Sequence, residues 1–383
     1  MTRPMPRPRA GRIALALFAP LAFAAAPAAA LPSYSLQALG DLPGGAFDSR
    51  ANAINDLGQV VGSSENGSGA SPFIWQSGVG MTAFADLPGG GDLRSASAIN
   101  NPGQVAGSGD SGGPLHAHLW SPGAGLTDLG DLPGGPDSSS ANGINDLGQV
   151  TGTAHPGTYG RAFVWQDGVG LSDIGTLPGG NSSEGRDINI LGQVVGDSST
   201  TGGIHAFLWD PDAGMTDLGT LPGGIDESHA NAVNAAGMVV GWSGVAGGVH
   251  AFLWEVGGGM TDLGDLAGGD VLSAAMDIND VGQIVGQGRT AAGTRAVLWE
   301  AGAMHDLNDL VVDAAGWTLN FATGINNYGL IVGYGYNPDG AREAFVLSPY
   351  YGTDAAVPLP GAWPLLAAAF GGLGIVARRR GRG

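Results

Sequence analysis

An Ile-Asn or Val-Asn pair returns seven times along this chain, at Ile54-Asn55, Ile99-Asn100, Ile144-Asn145, Ile188-Asn189, Val233-Asn234, Ile278-Asn279 and Ile325-Asn326, in steps of 45, 45, 44, 45, 45 and 47 residues. Trp75, Trp120, Trp165, Trp209, Trp254 and Trp299 keep the same phase, and Leu347 takes the seventh place. Such a period means that one supersecondary unit, unable to bury its apolar face alone, is stacked against copies of itself. The architecture must therefore be a solenoid or a ring.

The unit reads as four short strands. In the third copy, Ser140 to Asn145 is followed by an Asp146-Leu147-Gly148 turn, and Gln149 to Thr153 returns. Ala162 to Trp165 and Gly170 to Ile174 make a second hairpin around Asp167-Gly168, and Leu177-Pro178-Gly179-Gly180 leads onward. Asx-Gly turns between β-branched runs are hairpin signals, and Pro-Gly-Gly stops a strand. The 71 glycines in 383 residues argue in the same direction, because Gly weakens helices and relieves turns.

Four strands in about 45 residues is the size of a propeller blade, so the reading is an all-β fold: a seven-bladed β-propeller of four-stranded blades over 31–350. Tyr34 to Gly40 matches the fourth strand of a unit, and the seventh unit stops after its third strand near Leu347. The N-terminal strand is therefore expected to join the last blade and close the ring, which removes the exposed edges. An open β-solenoid, the alternative, would need caps but no such exchange.

His205-Ala-Phe-Leu-Trp209 and His250-Ala-Phe-Leu-Trp254, with Leu39 to Gly45 and Ile54 to Gly62, make the chain resemble the HAF-type extracellular repeat family over roughly residues 34 to 348. The resemblance implies an extracellular repeat protein and assigns no activity to particular residues.

Both ends carry addresses. Arg3, Arg7, Arg9 and Arg12 precede the apolar run Ile13 to Ala26 and then Ala28-Ala29-Ala30, the order of a secretory signal peptide over 1–30. At the other end, Val357-Pro358-Leu359-Pro360, the uncharged stretch Gly361 to Ala377 and Arg378, Arg379, Arg380 and Arg382 form a tripartite signal over 351–383. It resembles the PEP-CTERM class in its Val-Pro-Leu-Pro variety, which implies an exosortase-type sorting enzyme as partner and a bacterial cell-surface or extracellular destination. Contact with the membrane is expected only through this short C-terminal segment.

Between the two signals lie 7 Arg, no Lys and 34 acidic residues, a formal charge of −27. Nucleic acid and anionic membrane surfaces are excluded as partners of such a body; cations, neutral glycans and basic proteins are compatible. With no cysteine, disulfides, thiolate metal sites and cysteine nucleophiles are excluded as well.

Residues present in every unit are expected to build the blade: Trp and Phe of the third strand as inter-blade core, Asn and Asp of the turns as Asx caps. Calcium in every unit is ruled out because the Asp56 position becomes Asn101, Asp146, Ile190, Ala235, Asp280 and Asn327; isolated calcium sites stay open, and no other cofactor or metal is expected. His116, His205 and His250 share a place with Ser71, Arg161, Arg295 and Glu343 and read as swappable surface.

The departures between units are the candidate binding residues. Tyr159, Trp242, Arg289, Tyr334 and Tyr336 are placed in the loops joining second to third strands, on one rim, and His229 with Glu227 near the channel mouth. No catalytic residue is assigned. The function expected is non-catalytic binding of extracellular glycan or protein partners, with a secreted polysaccharide hydrolase or lyase as the alternative.

Overall fold

The computed structural model describes residues 32–350 except 87–92, 111–113, 136 and 315. The proposed signal peptide and the sorting residues Val357, Pro358, Leu359 and Pro360 lie outside the described residues.

Seven four-stranded antiparallel sheets follow one another as blades. The inner strands, Ser49–Ile54, Leu93–Ile99, Ser139–Ile144, Ser183–Ile188, Ser228–Val233, Ser273–Ile278 and Thr318–Ile325, neighbour one another around a central channel. The seventh sheet is completed by Ser33–Ala38, which pairs antiparallel with Arg342–Tyr350 from Ser33↔Tyr350 to Ala38↔Phe345. The ring is thus a closed propeller, not a solenoid. Apart from one turn of α-helix at Leu307–Leu310 and a 3-10 turn at Phe84–Asp86, the described residues are strands and their connections, and no helix among them is long and apolar enough to cross a membrane.

Apolar layers between blades hold the ring together. Phe73, Phe163, Phe207, Phe252 and Phe345 are fully buried; Trp75 and Trp120 are buried beside them, while Trp165, Trp209 and Trp254 are half-buried. One cluster joins Val332, Ala344 and Val346 of blade 7 to Phe73 and Trp75 of blade 1, so the closing interface is packed like the others.

Each inner strand carries a bulge, at Asn52, Ser97, Asn142, Arg186, Asn231, Met276 and Thr323. Opposite the bulge stands the Gly of Val-Val-Gly. A Cβ on Gly62 would meet the Arg50 carbonyl at 2.0 Å, and one on Gly241 the His229 carbonyl at 1.9 Å, so the kinked strand needs glycine across from it. The extra residue is thereby turned toward the next blade. Asn52, Asn142 and Asn231 donate to the carbonyls of Ala96, Gly185 and Ala275, and Thr323 donates to Ala51.

Candidate functional site

The channel has two mouths. One is formed by the Asn-Asp-Leu-Gly turns after the inner strands, the other by the loops that join second to third strands and lead from blade to blade. Their chemistry differs.

At the turn mouth, each repeated Asn donates its Nδ2 to the carbonyl of the Asn in the next blade: Asn55 to Asn100, then Asn145, Asn189, Asn234, Asn279, Asn326 and back to Asn55, at 2.9–3.2 Å. Each Oδ1 accepts backbone N–H from its own turn, as Asn55 does from Leu57 and Gln59. The Asx cap expected from the sequence is present, but half of the side chain's work is between blades. Outside this circle, Asp146, Asn101, Asp56, Asn327 and Asp280 form an arc in which carboxylates alternate with carboxamides that donate to them. Ile190 and Ala235 interrupt it. Among the described residues no group of three His, Asp or Glu is placed to hold a metal ion.

Deeper in the same cavity, which measures about 480 Å³, Asp187 and Asp277 stand where other blades have Ala or Gly. Asp277 accepts from the Ile278 and Ile325 N–H groups, and Asp187 from Ile188 and Val233. Burial pushes Asp277 up to about 7, the two N–H bonds pull it down, and the charge of Asp187 adds to the rise; Asp187 is likewise raised by burial.

The loop mouth is where blades differ. On blade 5, His229 stacks on Trp242 with ring centroids 4.2 Å apart, across the pairing of inner and second strands. His229 Nε2 lies 3.1 Å from Glu227 Oε1, and Nδ1 lies 3.0 Å from Asp197 Oδ1, away from straight hydrogen-bond geometry. Asp197 also accepts from Arg186 Nε at 2.8 Å, and Arg186 reaches Glu184 at 3.5 Å. Burial pushes the imidazole down, but Asp197 and Glu227 outweigh it and hold His229 above its ordinary value. Burial would raise Asp197; His229 and Arg186 hold it low instead. A cavity of about 320 Å³, lined in part by Glu184, Arg186, Asn142 and Asn231, opens beside this cluster.

On blade 7, Phe321 stacks on Tyr334 at 4.7 Å in the equivalent cross-strand position, and Arg50 of blade 1 lies 5.7 Å from the Tyr334 ring centre. Arg342 makes a two-point pair with Asp48. A separate pocket of about 200 Å³ lies among these residues.

The candidates therefore fall unevenly. Only Tyr159 stands in a second-to-third loop, and it is exposed. Trp242, Arg289, Tyr334 and Tyr336 lie on strands, at Val239–Val245, Ile284–Thr290 and Ile331–Tyr336, because the second strands run further out than turn chemistry suggests. The structure brings Trp242 to His229 and Tyr334 to Tyr336; Arg289 pairs with Asp270 at 3.2 Å on blade 6.

The third-strand histidines are not loose surface either. His205 Nδ1 lies 2.9 Å from Asp217 of the outer strand and its Nε2 3.0 Å from Asp226 of the following loop; His116 does the same with Asp128 and Asp137. They clamp the outer strand to the blade. Arg295 faces Asp306 at 3.6 Å in the same place. The sequence reading missed Asp187, Asp277 and Asp197; an acid where sister units carry Ala or Gly was the visible signal for the first two.

Fold and mouths together define a closed seven-bladed propeller with one uniform and one differentiated face. No protein-family model matches the chain, and no curated protein does. Solved structures it resembles include the β-propeller domain of the Trilobed protease from Pyrococcus furiosus, at 8% identity and TM-score 0.47 over 83% of this chain and 94% of that one. TolB from Acinetobacter baumannii is similar at 13% identity and TM-score 0.43, with 56% of this chain matched and about half of that protein's length, 53%, spanned. A putative TolB from Agrobacterium tumefaciens is similar at 15% identity and TM-score 0.39 over 80% and 91%. At these identities the likeness is one of fold alone.

Proposed function

We propose that this is an exported bacterial surface or extracellular-matrix protein that binds glycan or protein partners non-catalytically through its loop mouth. The observation that carries this reading is the pair of aromatic stacks, His229–Trp242 and Phe321–Tyr334, set on one face of a scaffold whose other face repeats from blade to blade. Half-buried aromatics on rigid strands lose little entropy on binding and suit sugar faces or apolar protein anchors. The two terminal signals supply the destination. Calcium is expected to be dispensable.

Binding of the full chain to a glycan array and to bacterial extracellular polysaccharide, with and without calcium, is the test. Trp242→Ala with Tyr334→Ala is expected to lower binding at least ten-fold while the ring stays folded. A double variant that binds as well as the parent would sink the loop mouth as the recognition face.

A secreted hydrolase or lyase is the second reading, favoured by the Asp197–His229–Glu227 array, which resembles an oriented acid–base pair. Release of reducing ends or unsaturated sugars from the same polysaccharides, abolished in His229→Gln, would establish it in place of the first.

A further inference from the structure

The seventh unit is two residues longer than most, 47 against 45. Besides the bulge at Thr323 shared with its sisters, the inner strand of blade 7 has a second one, as blade 2 has at Arg94: Leu319 pairs with Gly335 and Phe321 with Tyr334, so Asn320 is left out of the ladder. Gly335 permits it, since a Cβ there would meet the Thr318 carbonyl at 2.2 Å. Extra bulges re-aim side chains and concentrate beside sites.

Asn320 is turned into the wall of the 200 Å³ pocket between blades 7 and 1, with Phe321, Tyr334, Tyr336, Arg50 and Arg342. Its Nδ2 donates to the Thr294 carbonyl at 2.9 Å, which fixes the amide and leaves Oδ1 facing away from that bond. That Oδ1 is buried and accepts no hydrogen bond from the protein. A buried acceptor without a donor is costly.

The charge of the pocket is equally unusual for this chain. Its body has 7 Arg against 34 acids, yet two of the seven arginines line this pocket and no acid does. Asp48, beside it, is taken up by the two-point pair with Arg342 and approaches Arg50 only at 3.8 Å. Arg50 keeps nearly half its side chain exposed and has guanidinium N–H groups to offer. The negative charge of the rest of the body is screened within about 8 Å at physiological ionic strength, so these neighbours decide what enters.

We infer, resting on the glycan-binding reading above, that this pocket takes one sugar-acid unit of an acidic polysaccharide, its ring against the exposed Tyr336 beside the Phe321–Tyr334 stack and its carboxylate on Arg50. A pocket of about 200 Å³ lies below the usual range for drug-sized ligands, so it accommodates one ring while the rest of the chain crosses the rim. Arg supplies the planar fork that a carboxylate needs.

Titration of the full chain with glucuronic acid and with glucose, followed by calorimetry or ligand-observed NMR, tests this. Glucuronate is expected to bind at least ten-fold more tightly than glucose; Arg50→Gln should erase that preference, Tyr336→Ala should weaken both sugars, and Arg94→Gln, at an exposed arginine of blade 2, should change neither. Unaltered thermal unfolding of Arg50→Gln checks that the ring is intact, which the exposure of this side chain leads one to expect. Equal binding of the two sugars, or a preference that survives Arg50→Gln, overturns the proposal. Should a neutral glycan bind through Trp242 while glucuronate does not bind, this pocket fails and the broader glycan reading stands. No binding of any glycan sinks both.

Discussion

The turn mouth and the loop mouth are built from the same seven inner strands, yet their polar groups are used in opposite ways. At the turn mouth a residue present in every unit finds its partner in the copy next door, so the circle of asparagines closes on itself. At the loop mouth, His229, Trp242, Phe321, Tyr334 and Arg186 occur in one blade each, and Asn320 Oδ1 is left without a donor. In a ring of equal units, repetition lets each copy satisfy the next, whereas a departure has to find its partners case by case. The comparison separates residues that hold blades together from residues open to a ligand.

Removing one member of the circle should do most damage. Asn189→Ala takes the side-chain acceptor from the Leu191 and Gln193 N–H groups and the donor from the Asn234 carbonyl. At about 1–3 kcal/mol for the buried Asn234 carbonyl and about 0.5–1.5 kcal/mol for each of the two half-buried N–H groups, a loss of about 3 kcal/mol in urea unfolding is expected. A loss below about 1 kcal/mol would mean that water takes over these bonds and that the uniform mouth is less essential than its closure suggests.

Asp277 sharpens the contrast from inside the channel. Its folded pKa of about 7 stands above the ordinary 3.8, so the folded protein holds a proton that the unfolded chain releases. The contribution of this group to stability is thus fully present below pH 4 and drains away as pH rises toward 7. Asp277→Ala, which installs the residue found at Ala53, Ala98 and Ala232, should flatten that decline in Tm measured from pH 4 to 8. An unchanged slope would show that the carboxylate is hydrated in the lumen.

The smallest effect is expected at the clamps. Burial pushes His205 down, but Asp217 and Asp226 outweigh it and hold its pKa above the ordinary 6.5. The imidazolium form is favoured by folding, so the clamp's contribution is complete below pH 6.5 and lost as pH rises through the raised value. His205→Gln should remove a slight fall in Tm above pH 6.5. A wild-type Tm flat across that range would argue that the clamp works through neutral hydrogen bonds alone.

Much of the fold was legible in the sequence because a ring of hairpins writes its period, its turns and its closing strand directly: Tyr34 to Gly40 reads as an orphan fourth strand, and it fills the edge of blade 7. The sites were less legible. Turn chemistry marks where the chain can reverse, not how far pairing continues, so Trp242 and Tyr334 read as loop residues although they sit in the ladder opposite His229 and Phe321. The bulges were hidden too, since an extra residue leaves no composition signal beyond the Gly opposite it and, in unit seven, a longer step. The third-strand histidines looked interchangeable with Arg295 because both reach an outer-strand Asp, a likeness of role that residue type conceals.

The antiparallel clasp between Ser33–Ala38 and Arg342–Tyr350 brings Ser33 opposite Tyr350, and this has a mechanical consequence. Topologically the propeller is a circle with a single nick, and both sides of the nick point the same way. A load shared between the two ends would peel the clasp one pair at a time, the weakest way to open a ladder. A load borne at one end alone, through Tyr350 and onward, enters the third strand of blade 7 and leaves the clasp unstressed. Held by one tail, the ring stays shut.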